Sequence, residues 1–220
     1  MITLKSDIHI CNMQELLNKI QTLKENETKA LIDSRLAEFS FIKNQPKEEI
    51  FKELCFCIMT ANCSATKCIE VHEYVGEGFL TLSEIELANK FKELGYRFPN
   101  IRAKFIVEAR ENLSQLEQVI KSENNGNDLR EWIVRTIKGI GYKEASHFLR
   151  NIGYTEYAII DFHIIDLLVR YNITEKPKTM TKTKYLEIET LLKDIGNELN
   201  LNMAELDLCL WFLETGKVLK

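Results

Sequence analysis

Two neighbouring stretches decide the reading: "IKGIGYKEASHFLRNIG", Ile137 to Gly153, and "AIIDFHIIDLL", Ala158 to Leu168. With the preceding "EWIVRT", the first reads as helix, tight turn, helix. The turn is Gly139-Ile140-Gly141, whose glycines permit backbone conformations closed to other residues and a close approach to a neighbour. Backbone N–H groups at such a turn, and at the start of the next helix, can hold a phosphate without net positive charge on the protein. Lys143 sits at that helix start, and Asp161 follows eighteen residues later at the mouth of "FHIIDLLVRY". Taken singly, each feature has a plainer meaning. Packing hairpins use glycine too, Lys143 would be a solvated helix lysine, and Asp161 a helix N-cap.

Outward from the hairpin the pattern is helical nearly throughout. "NMQELLNKIQTLK" repeats apolar residues at Leu16, Leu17, Ile20 and Leu23, and "YLEIETLLKDIGNEL" does so at Ile188, Leu191, Leu192, Ile195 and Leu199. Asn202 opens the last helix with Glu205 three residues on, a capping-box start, and Gly216 closes it. There are three prolines and no convincing alternating segment, so strand is scarce. The polar "KSENNGND", Lys121 to Asp128, is the best loop. The expectation is all-α, about ten or more helices over residues 1–220, in one domain with two lobes possible.

Composition is that of an ordinary globular protein, 45% hydrophobic and 28% charged in 220 residues. No apolar run reaches membrane-spanning length, and "MITLKSDIHICNMQ" lacks a signal peptide's apolar core, so the expected location is cytoplasmic, away from membranes. A net charge of −4 is not the footprint of a general nucleic-acid binder. Charge is local instead: "YRFPNIRAKFIVEAR" carries Arg97, Arg102, Lys104 and Arg110, and "KPKTMTKTK" carries four lysines and no acid. Either patch could equally be a solvated face. Of six cysteines, Cys55, Cys57, Cys63 and Cys68 cluster while Cys11 and Cys209 stand apart. Their spacing fits no zinc or iron–sulfur pattern, and "FKELCFCIMTA" reads as a buried helix, so small buried hydrophobes are favoured over metal ligands.

Together, Gly139-Ile140-Gly141-Tyr142-Lys143 and Asp161-Phe162-His163 resemble the signature of the helix–hairpin–helix DNA glycosylases. The family's hairpin G-[IV]-G-x-K is followed about twenty residues on by an aspartate in a D-x-H context, and members with lysine at that position are bifunctional. "IMTANCSA" resembles the family's minor-groove loop, and "GYRFPNIRAKFIVEAR" its "GYR…RA" helix start. The ending "ELDLCLWFLETGKVLK" resembles the second-class, archaeal-type 8-oxoguanine enzymes.

The resemblance implies a helix–hairpin–helix glycosylase fold of two helical lobes with the active site between them. It implies damaged double-stranded DNA as partner, 8-oxoguanine excision, and cleavage of the strand by β-elimination. Lys143 would attack C1′ of the flipped nucleotide and Asp161 would stabilise charge on the sugar. Gly139, Gly141 and His163 would meet phosphates, with Arg97 at the DNA and Asn62 entering the gap left in the stack. Asp207, Trp211 and Lys220 would form the base pocket; the alternative is that Trp211 is core and the tail frays. The chain lacks the extra β domain of the eukaryotic 8-oxoguanine enzymes and the four-cysteine loop of the endonuclease III relatives. No cofactor, iron–sulfur cluster or other metal is therefore expected, and a monomer is. A helix–hairpin–helix glycosylase for another oxidised base, and a non-catalytic DNA-binding helical module, are the other readings.

Overall fold

The computed structural model describes residues 2–122 and 126–220, with side chains described over 12–122 and 129–220. Among the described residues there are thirteen helices and no strand. The chain divides into two compact units, residues 39–153 and residues 1–38 with 154–220. The expected loop at Lys121 to Asp128 falls partly on residues 123–125, outside the described residues, and Gly126 already opens a helix.

The unit of residues 39–153 is organised by α3 (Lys47–Thr60). Ile50, Phe51 and every residue from Glu53 to Thr60 of this helix are buried. A helix apolar all round has to be enclosed, and α4 (Ala65–Val75), α5 (Gly78–Thr81), α7 (Pro99–Arg110), α8 (Leu113–Lys121) and α10 (Tyr142–Asn151) all pack on it. Cys55 and Cys57 lie in this core, and Cys68 of α4 beside them, as the burial reading expected. The remaining helices are α6 (Glu84–Glu93), against α7, and α9 (Gly126–Thr136), against α10.

In the other unit α13 (Met203–Thr215) is the hub, touching α1 (Ile2–Lys24), α11 (Phe162–Arg170) and α12 (Lys182–Leu199). Leu16, Leu17, Ile20 and Leu23 of α1 are buried, as are Ile188, Leu192, Ile195 and Leu199 of α12. Leu191 is half-buried at the edge of that stripe. Asn202 and Glu205 form the expected capping box, and Gly216 ends α13 in the left-handed conformation at φ +69°. The division at residues 38 and 39 falls within α2 (Thr28–Ile42). No helix among the described residues is long and apolar enough to cross a membrane.

The buried thiols should be chemically silent. Burial pushes Cys55 and Cys68 well above the ordinary thiol range and Cys209 up to about 12. Thiolate is the reactive form, so raising pH to 8 leaves these groups protonated. In a Cys11→Ser background, which sets aside the one cysteine whose side chain lies outside the described residues, a soluble aromatic disulfide reagent should label the half-exposed Cys63 alone. Labelling of Cys55, Cys57 or Cys209 without denaturant would contradict this packing.

Candidate active site

In the unit of residues 39–153, α9 ends at Thr136 and the chain turns through Gly139 at φ +80°. An L residue avoids that conformation, and a Cβ built on Gly139 would lie 2.3 Å from the Phe105 ring. Gly141 is different from what the sequence suggested. Its φ of −99° is open to any residue, and its N–H donates to Glu144 Oε2 at 3.2 Å. A phosphate using that N–H would have to displace the carboxylate.

Lys143 is the second residue of α10, in its only accessible turn, because Ala145 through Ile152 are all buried. The lysine is half-buried and makes no hydrogen bond or ion pair among the described residues. Its charge opposes the upward shift that burial gives the Cys68 thiol of α4. Cys68 Sγ in turn donates to Met59 O at 3.4 Å, at the end of α3 where the chain turns.

That turn holds Asn62. The helix itself stops at Thr60, and Asn62 stands in the left-handed conformation at φ +60°, exposed. Asparagine tolerates this better than most residues. Ser64 then caps α4, accepting from Lys67 N at 3.2 Å. Neighbouring side chains satisfy the carbonyls at the end of α3, which a helix leaves without partners. Met59 O accepts from Tyr96 OH at 2.6 Å and from Cys68 Sγ at 3.4 Å, Ala61 O from Arg102 at 3.0 Å, and Asn62 O from Arg97 at 3.4 Å.

The basic patch "YRFPNIRAKFIVEAR" is thus smaller than its sequence suggests. Arg102 is buried and Arg110 donates to Phe79 O at 2.7 Å, while Arg97 and Lys104 stay exposed. In "KPKTMTKTK", Lys176 pairs with Asp166 at 2.6 Å and Lys184 with Glu187 at 3.0 Å.

In the unit of residues 1–38 and 154–220, Asp161 caps α11, Oδ1 accepting from Ile164 N at 3.0 Å. The approach to it is pinned by buried Tyr185, whose hydroxyl donates to Ala158 O at 2.8 Å and accepts from Ile160 N at 3.2 Å. His163 is half-buried and meets the Trp211 ring edge-on, centroids 5.1 Å apart. Phe162 lies on the histidine and is itself 66% exposed, a feature sequence reading passed over.

Trp211 is half-buried, and its indole Nε1 is buried with no hydrogen-bond partner among the described residues. That is neither a plain core residue nor a plain surface one. Asp207, one turn earlier, is 8% exposed and lines a small pocket with Ala158, Ile159, Leu192, Met203, Leu206 and Leu210. Lys220 is half-buried. No group of three or more potential ligands is placed to hold a metal among the described residues.

An all-helical fold built around a glycine hairpin, with a lysine at its open turn, is that of a helix–hairpin–helix DNA glycosylase. Residues 32–201 match the family model described as 8-oxoguanine DNA glycosylase, and the chain belongs to that family. It is 53% identical over 206 residues to an 8-oxoguanine DNA glycosylase/AP lyase of Methanocaldococcus jannaschii, covering 93% of this chain and 99% of that one. A protein of the same name from Korarchaeum cryptofilum is 49% identical, over 94% and 99% of the two chains. The crystal structure of the Methanocaldococcus jannaschii enzyme with a 15mer DNA containing 8-oxoguanine superposes with a TM-score of 0.91 at 53% identity, over 94% of this chain and 100% of that one.

The two hairpin glycines should respond differently to a methyl group. Gly139→Ala adds a left-handed penalty of about 1–2 kcal/mol and a collision with Phe105, so its Tm should fall by roughly 4 °C or more. Gly141→Ala keeps an ordinary φ and should stay within about 2 °C of the parent. Equal losses for the two would refute the assignment of the turn.

Proposed function

We propose that the protein is a bifunctional DNA repair enzyme, an 8-oxoguanine DNA glycosylase and AP lyase that works on duplex DNA as a monomer. The observation that carries this reading is Lys143, an amine without hydrogen bond or ion pair among the described residues at the one open turn of an otherwise buried hairpin helix. Family membership and the activity named for its relatives support the same reaction.

In this reading the damaged nucleotide is flipped out of the duplex, which exposes C1′ of its deoxyribose. Lys143 Nζ attacks C1′ as the glycosidic bond breaks, and the base departs with the proton that the nitrogen gives up. Ring opening gives an iminium between Lys143 Nζ and C1′. Loss of a proton from C2′ then expels the 3′ phosphate, and hydrolysis of the iminium returns the lysine. Asp161 supplies a fixed negative charge opposite the cationic sugar while it goes on capping α11. Gly139 and Gly141 approach the phosphate backbone, and His163 makes a phosphate contact.

Asn62 enters the gap left in the stack, with Arg97 beside the unpaired partner base. For the flipped base, Trp211 offers a flat face and an N–H donor still to be satisfied. Asp207 is a candidate acceptor for the N7–H that distinguishes 8-oxoguanine from guanine, with Lys220 a further polar contact. A buried donor without a partner is costly to leave so, and a base edge would satisfy it.

Two substitutions test the chemistry. Lys143→Gln should abolish both base release and strand nicking in single-turnover assays while leaving Tm within a few degrees, because the side chain holds nothing else in place. Nicking that survives in this variant would remove Lys143 as nucleophile. At Asp161 the two roles separate by choice of residue. Asparagine caps a helix as well as aspartate does, whereas alanine forfeits about 1 kcal/mol. Asp161→Asn should keep its Tm and lose roughly 10²-fold or more in base removal. Asp161→Ala should lose both. Full activity in Asp161→Asn would leave the residue as a cap only.

A further inference from the structure

We propose that Arg102 is a positioning residue that ties the Asn62 turn to the hairpin turn, fixing how far Asn62 projects relative to Lys143. The proposal rests on the roles given above to those two residues. Arg102 is 8% exposed and has no carboxylate partner among the described residues. Its guanidinium donates through Nη2 to Ala61 O, the carbonyl just before Asn62, at 3.0 Å. Two residues before Ala61, Met59 O is held by the Tyr96 hydroxyl at 2.6 Å, so the same end of α3 is fixed from two sides.

On the other side, Nη1 lies 3.2 Å from where a Cβ on Gly139 would stand. The guanidinium carbon is 5.8 Å from the ring centroids of both Phe98 and Phe105, and Phe105 is the ring that Gly139 grazes. One planar cation therefore hydrogen-bonds the probing turn, lies between the Phe98 and Phe105 rings, and fills the space beside Gly139.

Stability alone does not account for this placement. A cation taken out of water without a carboxylate is costly, and its Nε has no hydrogen-bond partner among the described residues. What balances it is the carbonyl end of α3, the negative pole of that helix. A methionine would fill the same space more cheaply, but could not hold Ala61 O in a fixed direction. Lysine could reach a carbonyl, yet it lacks the flat fork that fits between two rings.

The test is a cycle of Arg102→Lys, Asn62→Ala and the double variant, read by titration with an 8-oxoguanine duplex and by backbone amide resonances. Arg102→Lys keeps the charge and should fold with nearly the parental Tm. Arg102→Met serves as the second variant if lysine perturbs the fold. Lesion affinity should fall roughly tenfold and opposite-base preference should blur, with a smaller change in the single-turnover rate at saturating enzyme. Adding Asn62→Ala to Arg102→Lys should cost little more, because the turn is already released. Amides of residues 61–64 and 138–140 should shift together.

Parental lesion affinity in Arg102→Lys, losses that simply multiply in the double variant, or amide shifts confined to α7 would each overturn the proposal. If Asn62→Ala alone has no effect, the DNA role of Asn62 falls. The joint amide shift then decides the tie by itself.

Discussion

The constraint on which the hairpin depends is that α10 has almost no surface of its own. From Ala145 to Ile152 every residue is buried, yet four of them, Ser146, His147, Arg150 and Asn151, are polar. His147 packs edge-on against Phe56, and for the other three the protein supplies the hydrogen bonds that water cannot. Ser146 Oγ accepts from buried Arg130 at 3.2 Å, and Arg150 holds Asn151 Oδ1 at 2.9 Å. Asn151 donates in turn to Glu53 of α3 at 3.2 Å. Arg150 also lies over the Phe39 ring, 4.6 Å from its centroid. Polar groups buried in such a network fix rotation and depth more sharply than apolar packing does, since any slip leaves a partner unsatisfied.

The consequence for function is placement. A helix locked along most of its length can offer chemistry only at its first turn, and Lys143 is there. Behind it, Gly139 lets the chain fold back against Phe105. Beside it, the carbonyls ending α3 are gathered by Tyr96, Cys68, Arg97 and Arg102, which gives the Asn62 turn a definite shape. Asp161 is held by the same economy in its own unit: the aspartate that caps α11 is approached through a segment clamped by one buried tyrosine.

Much of this was legible in the sequence, for identifiable reasons. Helical periodicity and capping boxes are local, so α1, α12 and the limits of α13 could be read directly. Lys143 at the start of the helix after the hairpin and Asp161 as the cap of α11 were legible because both placements follow from local pattern. Arg102 was not. A cation in a run of cations reads the same whether it faces water or a helix end, and only the tertiary partner Ala61 O separates the cases. Gly141 was over-read for the converse reason, because a glycine near a turn does not reveal the sign of its φ. Trp211 shows a third limit: its place on the face of α13 is periodic, but the missing partner of its N–H becomes visible only once its surroundings are folded.

The central claim is that a single amine, Lys143, becomes covalently joined to the sugar of the excised base. The most direct measurement is borohydride reduction during turnover of the unmodified protein on an 8-oxoguanine duplex. Proteolysis and mass spectrometry then locate the stabilised deoxyribose adduct. The account predicts one adduct, on the peptide containing Gly139 to Lys143 and at Nζ of the lysine. An adduct on any other lysine or on the amino terminus, or base release with no adduct at all, would contradict it.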